Sequence, residues 1–317
     1  MAVTLAQAKL NVQDDLQLGI IDEFAKSSFI MNNIPFADVV SPTGGGATLT
    51  YAYTRLVTQP NAAFRAVNSE YTPSEVQKQR YSTDLKVLGG AFEVDRIIAG
   101  MGGIADEVAL QSSQKVKAAS ALFNDTIING NSSTDANVFD GLDVAVTGTD
   151  TEFHADGTAI DLSTSALVTA NATEFLDMLD EFLLNLDGVD VLMMNTKALA
   201  KMRAIARRAG MYQTKLDEFG KQVEYYGSIP MVDLGAKAGT NDPVVGIDEN
   251  GETSIYAVRF GMDGFHAVSM AGQPPVKIWL PDFSTPGAVK KGEVEMVVGC
   301  ALKSTKAAGV FRKIKVQ

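Results

Sequence analysis

The sharpest chemical signal in the sequence is Gly100-Met-Gly102-Gly103-Ile-Ala105, which fits the G-x-G-x-x-A pattern of a phosphate-cradling turn and opens a helical stretch. Glycines are needed in such a turn because only a backbone without Cβ can approach a pyrophosphate closely at a helix N-terminus. The rest of the fingerprint is missing. It requires an apolar strand before the turn and a second parallel strand, ending in an acidic residue, about 20 residues later. Here Glu93, Asp95 and Arg96 interrupt the preceding strand, and the region downstream still reads as helix, with Asp125 inside it. The pattern reads as a turn into a helix, and an α/β dinucleotide-binding enzyme is kept as an alternative.

Other chemistry finds fewer residues. Only His154 and His266 could serve as imidazole bases or ligands; the first lies in an Asp/Gly/Thr-rich loop and the second in a strand-like run, so they read as solvated or packed. The single cysteine, Cys300, excludes an internal disulfide and a cysteine-built metal site, and its flanks Val297, Val298 and Ala301 mark it as a packed small hydrophobe. Asp248-Glu-Asn-Gly251 lacks the further oxygen ligands of a calcium loop and reads as a hairpin turn. The sequence therefore implies no catalytic residue, no cofactor site and no metal site.

Composition narrows the partners. A formal net charge of -11 argues against tight sequence-specific binding to nucleic acid, whose affinity comes mostly from Lys and Arg on phosphates. No apolar run approaches the length of about 20 residues that a bilayer-spanning helix needs. The start, MAVTLAQAKLNVQDDLQLG, lacks a secretory pattern, so synthesis in the cytoplasm is expected. The charge is unevenly spread: from Asp135 to Asp190 there are many carboxylates and no Lys or Arg, whereas the end carries Lys290, Lys291, Lys303, Lys306, Arg312, Lys313 and Lys315. Copies of such a chain could attract one another head to tail.

The elements that would position these residues follow from periodicity. Leu18, Ile21, Phe24 and Phe29 recur at near-helical spacing and Pro35 ends the run, giving a short amphipathic arm. In TLTYAYTRL, Leu49, Tyr51 and Tyr53 alternate with Thr48, Thr50 and Thr54 as in a half-buried strand. Residues 57–80 are polar, carry Pro60 and Pro73, and precede a second strand-like run, YSTDLKVLGGAFEV. Together they predict a long two-stranded excursion with a charged, flexible tip, which is marginal in water without a surface to lie on. A long helix is expected over 103–129, with Ile104, Val108 and Phe123 facing a sheet, and the run from Gly130 to Asn137 stops it. Beyond Ser163 comes a layered α/β texture: a helix with Phe175, Leu179, Phe182 and Leu186 on one face and Asp177 and Glu181 on the other, a buried strand VLMMN, and a second helix TKALAKMRAIARRAG. VEYYGSIPMVDL, VVGIDENGETSIYAVRF, FHAVSM, PVKIWLPDF and EVEMVVGCALKS read as strands, followed by a basic tail.

This order of elements resembles the tailed-phage major capsid family with its HK97-like fold. The match runs through an N-terminal arm (1–38), an extended E-loop (39–95), a segment with the long spine helix (96–160), a loop of the form Asn129-Gly-Asn…Phe139-Asp-Gly141-Leu142, a mixed A-domain (161–272) and a return to the peripheral P-domain (273–317). The closing Glu293-Val-Glu-Met-Val-Val-Gly299-Cys-Ala-Leu-Lys303…Ala307-Ala308 resembles the last strand of that family. The implied fold is α+β: an arm, an E-loop hairpin, a spine helix with a P-domain sheet, and a mixed α/β A-domain.

What the resemblance implies is a structural protein, not an enzyme, self-assembling into pentamers and hexamers of an icosahedral virion shell around a dsDNA genome held without sequence-specific contacts. Scaffolding, portal and decoration proteins are the implied further partners, and no membrane is involved. Many relatives carry a proteolysed N-terminal extension; here the arm begins almost at Met1, which implies a separate scaffolding protein or assembly without one. An encapsulin, with the same fold around an enzyme cargo, is the alternative. The expected intersubunit contacts lie in the charged excursion: Arg55, Arg65, Glu70, Glu75, Lys78 and Arg80, with the basic members meeting carboxylates of a neighbour.

Overall fold

A computed structural model of the chain describes residues 29–41, 48–100, 107–210, 213–216 and 222–317. The first element is a helical turn, α1 (Phe29–Asn33), and β1 (Phe36–Val40) follows directly. Pro35 separates them because it has no N–H to continue a helix; its carbonyl accepts from Ala267 N at 3.0 Å. Leu18, Ile21 and Phe24 of the expected arm lie outside the described residues.

A five-stranded sheet is organised by the 14-residue β14 (Val289–Leu302). One edge of β14 pairs with β12 (Phe265–Met270) and β13 (Val276–Trp279), the other with β4 (Lys86–Asp95), all antiparallel, and β1 joins β12 in parallel. Alternation along β14 turns Val294, Met296, Val298, Cys300 and Leu302 into one core. The spine helix, α2 (Glu107–Asn129), packs on that face. Its fully buried residues, Ala119, Phe123, Asn124, Ile127 and Ile128, all belong to its C-terminal half. Val108, expected to face the sheet as a core residue, is only half-buried, and Ile104 lies outside the described residues. Phe123 is the hub: it stacks on Phe36 at 6.2 Å and meets Phe139 edge-on at 6.2 Å.

The helix stops where two glycines let backbone touch backbone. Gly130 N donates to Thr126 O, and Gly141 N donates to Gly130 O, both at 2.8 Å. A Cβ on Gly141 would come within 2.6 Å of Thr126 O and 2.7 Å of Ile128 O. The Asn-Gly…Asp-Gly-Leu pattern is therefore steric: it folds the chain back so that Phe139 and the short helix α3 (Leu142–Val146) seal the end of the spine.

The second, eight-stranded sheet runs β5 (Glu152–Phe153), β15 (Ala308–Lys315), β11 (Glu252–Val258), β7 (Val191–Met194), β10 (Ile229–Asp233), β9 (Gln222–Tyr226) and β8 (Gln213–Leu216), with β6 (Ile160–Asp161) also on β15. Every residue of β7 is buried because both faces are covered. Val191 and Met193 join the spine-helix core; Leu192 and Met194 join a second core under α4 (Ser165–Leu184) and α5 (Thr196–Arg208). Phe175, Leu179, Phe182 and Leu186 are buried on the face that periodicity predicts, with Asp177 and Glu181 exposed. Thr164 and Asn195 cap the two helices, accepting from Leu167 N at 3.3 Å and Ala198 N at 2.8 Å.

Four expectations are corrected. The run YSTDLKVLGGAFEV is two strands divided at the buried Leu85, because only its second part has β14 to pair with. Asp248 to Gly251 does form a turn, with Asp248 Oδ1 accepting from Glu252 N at 2.7 Å, but no strand precedes it. The basic tail is an inner strand: Val310 and Phe311 of β15 are fully buried, so the 273–317 segment divides between the two sheets. Finally, the acidic middle and basic end meet within one chain. Arg312 pairs with Glu152 and Asp143, and Lys315 lies 4.0 Å from Asp161. Pairing β15 with β5 and β6 brings these charges together within the subunit, while Asp177 and Glu181 of the acidic stretch stay exposed.

Candidate functional site

One element belongs to neither sheet. β2 (Thr50–Thr58) and β3 (Gln77–Asp84) pair only with each other, antiparallel, with Tyr53 opposite Tyr81 and Leu56 opposite Lys78. Leu85 N donates to Leu49 O at 2.8 Å and closes the root. From Leu56 to Arg80 every residue is exposed.

The root is held on the face of the five-stranded sheet opposite the spine helix. Val40, Leu85, Val268 and Ala301 form a small core there, with Tyr51 and Tyr53 packed against it. Tyr53 Oη donates to Leu302 O at 2.8 Å; burial pushes its phenol up, so the hydroxyl stays protonated and donating. His266, fully buried on β12, meets the Tyr51 ring edge-to-face at 5.9 Å.

Of the six residues expected at an intersubunit contact, Arg55 stands apart. Its side chain shares the half-buried face of Tyr51 and Tyr53, donates from Nε to Lys303 O at 2.8 Å, bonds Leu302 O, and lies 4.3 Å over the Tyr81 ring. It is a root anchor. Sequence reasoning grouped it with the tip charges, although its place two residues beyond Tyr53 puts it on the inner face. Lys78 and Arg80 share the outer face of β3, directly opposite Leu56 and Thr54. Arg65, Glu70 and Glu75 lie in the connecting arch. Arg65 folds over the Tyr71 ring at 5.4 Å and donates to Ser69 O at 3.2 Å. Asn61 N donates to Ser74 Oγ at 2.9 Å across the arch.

Charge is not all the hairpin presents. Phe64 has a relative exposure of 107%, Val67 87% and Leu56 69%, with Tyr71 and Val57 also exposed. Among the described residues, none covers Phe64, Val67 or Leu56. Single exposed hydrophobes are ordinary; a group of them on one outlying element marks a contact surface.

Among the described residues no group of three or more His, Cys, Asp or Glu side chains could hold a metal, and no helix is long and apolar enough to cross a membrane. Burial pushes the Cys300 thiol up, away from the reactive thiolate. His154 Nε2 lies 2.7 Å from Thr158 O, a contact within its own loop. Gly100 ends a short helical turn over Arg96–Ala99, and residues 101–106, which hold the rest of the glycine pattern, lie outside the described residues. The strand before it, β4, pairs only antiparallel, with β14, so the parallel β-α-β frame of a dinucleotide site is not formed.

No protein-family model matches the sequence, and no curated protein is similar to it in sequence. Solved structures do match. The holo-SrpI encapsulin complex from Synechococcus elongatus is 14% identical, with a TM-score of 0.68, over 100% of this chain and 98% of that one. The capsid of Myoviridae phage XM1 is 12% identical, with a TM-score of 0.61, over 99% of both chains. Mycobacterium phage Bobi is 12% identical, with a TM-score of 0.62, over 98% of both. At these identities the likeness is one of architecture, and over its whole length the chain has the α+β HK97-like fold.

Proposed function

We propose that the chain is a shell subunit, the major capsid protein of a tailed dsDNA phage, which self-assembles into pentamers and hexamers of an icosahedral virion shell. The observation that carries this reading is the hairpin. It holds Phe64 and Val67 clear of both cores on a fold shared with capsid subunits, and a second copy is the partner that repeats often enough to cover it in every subunit. A head-to-tail contact of this kind closes into a ring when the rotation between copies allows. Each contact is modest, and a closed shell multiplies it.

In this reading Arg65, Glu70, Glu75, Lys78 and Arg80 flank the apolar contact and set its register, while Arg55 fixes the angle at which the hairpin leaves its own subunit. The genome is enclosed without sequence-specific contacts. Scaffolding, portal and decoration proteins are the further partners of such a shell, and the subunit is made in the host cytoplasm before it enters the virion.

The structural likeness to the SrpI encapsulin supports a second reading on the same fold, a shell around protein cargo. Electron microscopy of the purified protein tests both. Closed shells are expected; packed DNA selects the virion and a protein cargo selects the encapsulin. A protein that stays monomeric across concentration and salt refutes both.

A further inference from the structure

We infer that His266 is a proton-sensitive latch under the hairpin root: the hairpin docks on the sheet only while this imidazole is neutral, and acid loosens it. This concerns one subunit and holds whether or not the subunit forms a shell.

The placement is specific. His266 points from β12 to the sheet face that receives the hairpin, beside Val268 and Ala301 and beneath Tyr51. It is 0% exposed, and neither ring nitrogen has a hydrogen-bond partner among the described residues. The charge that bears on its titration is a cation. Lys303 lies 5.6 Å over the outer Tyr51 ring, and Arg55 bonds Lys303 O and Leu302 O. From the hairpin, Tyr51 meets the ring edge-on, and Tyr53 packs on the same small core. The carboxylates of the adjoining elements are engaged elsewhere: Asp38 accepts from Gly272 N at 3.0 Å, Asp84 from Thr50 Oγ1 at 2.7 Å, and Asp263 from Arg259 at 2.9 Å. The Gly261 and Gly264 carbonyls, which also accept from Gly264 N and Lys303 N at 3.0 Å each, favour a charged ring but count for less than burial and Lys303.

An imidazolium in this sandwich would be desolvated beside a lysine, so burial first, and then Lys303, hold the ring below its ordinary value of 6.5. The sign follows from proton counting. Once the hairpin lifts, the ring meets water and binds protons at its ordinary value, so the open form takes up more protons than the docked form. Docking is at full strength above about pH 6.5 and weakens as pH falls below it, until the docked ring itself protonates. Within that window the open population rises by up to about tenfold for each pH unit. The root gives way because Tyr51 covers the ring from the hairpin side, whereas the opposite face of the sheet is locked by the spine helix.

Hydrogen exchange on the full chain at about pH 7.5 and about pH 5.5, corrected for intrinsic rates, reads this directly. Amides of β2 and β3 should lose up to about tenfold in protection at the lower pH, while β7 amides stay unchanged. In His266→Gln the pH dependence at the hairpin should vanish. A wild-type hairpin with no pH dependence, or His266→Gln with the wild-type slope, overturns the inference. Should His266→Gln fold poorly, an NMR titration of the wild-type imidazole decides: His266 titrating below about 6.5 supports the latch, and titration at or above that value refutes it.

Discussion

Asp143 Oδ1 receives the Tyr256 hydroxyl at 2.9 Å and lies 3.0 Å from Arg312 Nη2, so one carboxylate joins a phenol of β11 to a guanidinium of β15. Arg312 also pairs with Glu152 and donates to Thr147 Oγ1 at 2.8 Å. A single side chain thus ties α3 and β5 to β15 of the eight-stranded sheet. Removing it leaves two carboxylates facing each other at a partly buried seam. Arg312→Ala should lower stability by about 2 kcal/mol, between the values for exposed and fully buried pairs, as read by urea unfolding.

The spine helix should be far more sensitive at its C-terminal half than at its start. Phe123 and Ile127 are fully buried, while Val108 is half-buried. Phe123→Ala should cost about 3 to 5 kcal/mol. Val108→Asp should still give folded protein by circular dichroism, and an unfolded Val108→Asp would place the helix anchor at the wrong end.

Gly141→Ala tests the glycine turn. Its Cβ would press on Thr126 O and Ile128 O with no flexible side chain to yield. A loss of about 2 to 4 kcal/mol is expected, larger than any effect of Gly239→Ala beyond the strain of its positive φ, since a Cβ there meets nothing within 4 Å.

The hairpin tip should matter to assembly and not to folding. Phe64→Ser should leave the unfolding midpoint of the free subunit within about 0.5 kcal/mol of wild type while reducing shell yield. Reversing Arg65, Lys78 and Arg80 to Glu should also reduce yield, with a dependence on salt that Phe64→Ser lacks. Equal salt dependence in both would assign the contact to charge alone.

Asp177 and Glu181 form the solvated face of α4. Asp177→Asn with Glu181→Gln should change stability by no more than about 0.5 kcal/mol in thermal unfolding. The neighbouring Asp180 is different, because it accepts from Tyr226 Oη at 2.6 Å, and Asp180→Ala should cost more.

What the sequence made legible is what local periodicity encodes. Phe175, Leu179 and Phe182 recur at helical spacing and are buried together; the strands of β14 and β7 show in their apolar runs. What it did not reveal depends on partners distant in the chain. Nothing near Arg312 announces Asp143, and the end of the chain reads as a tail until β11 pairs with it. The hairpin shows as a break in periodicity between two strands, but net polarity alone places Arg55 with the tip charges, whereas strand phase sets it on the inner face. His266 is legible only as a solvated or packed histidine in a strand, and its place under the hairpin is not, since its neighbour Tyr51 comes from over two hundred residues earlier.

The isolation of the hairpin from both cores also separates two properties that most proteins couple. No side chain between Leu56 and Arg80 is buried, so the arch around Asn68 can be lengthened, or replaced by a foreign peptide, without drawing on the packing that keeps the subunit folded. The arch is thus a natural insertion point for displaying a grafted epitope, with the fidelity of assembly, and not the solubility of the subunit, setting how large that graft can be.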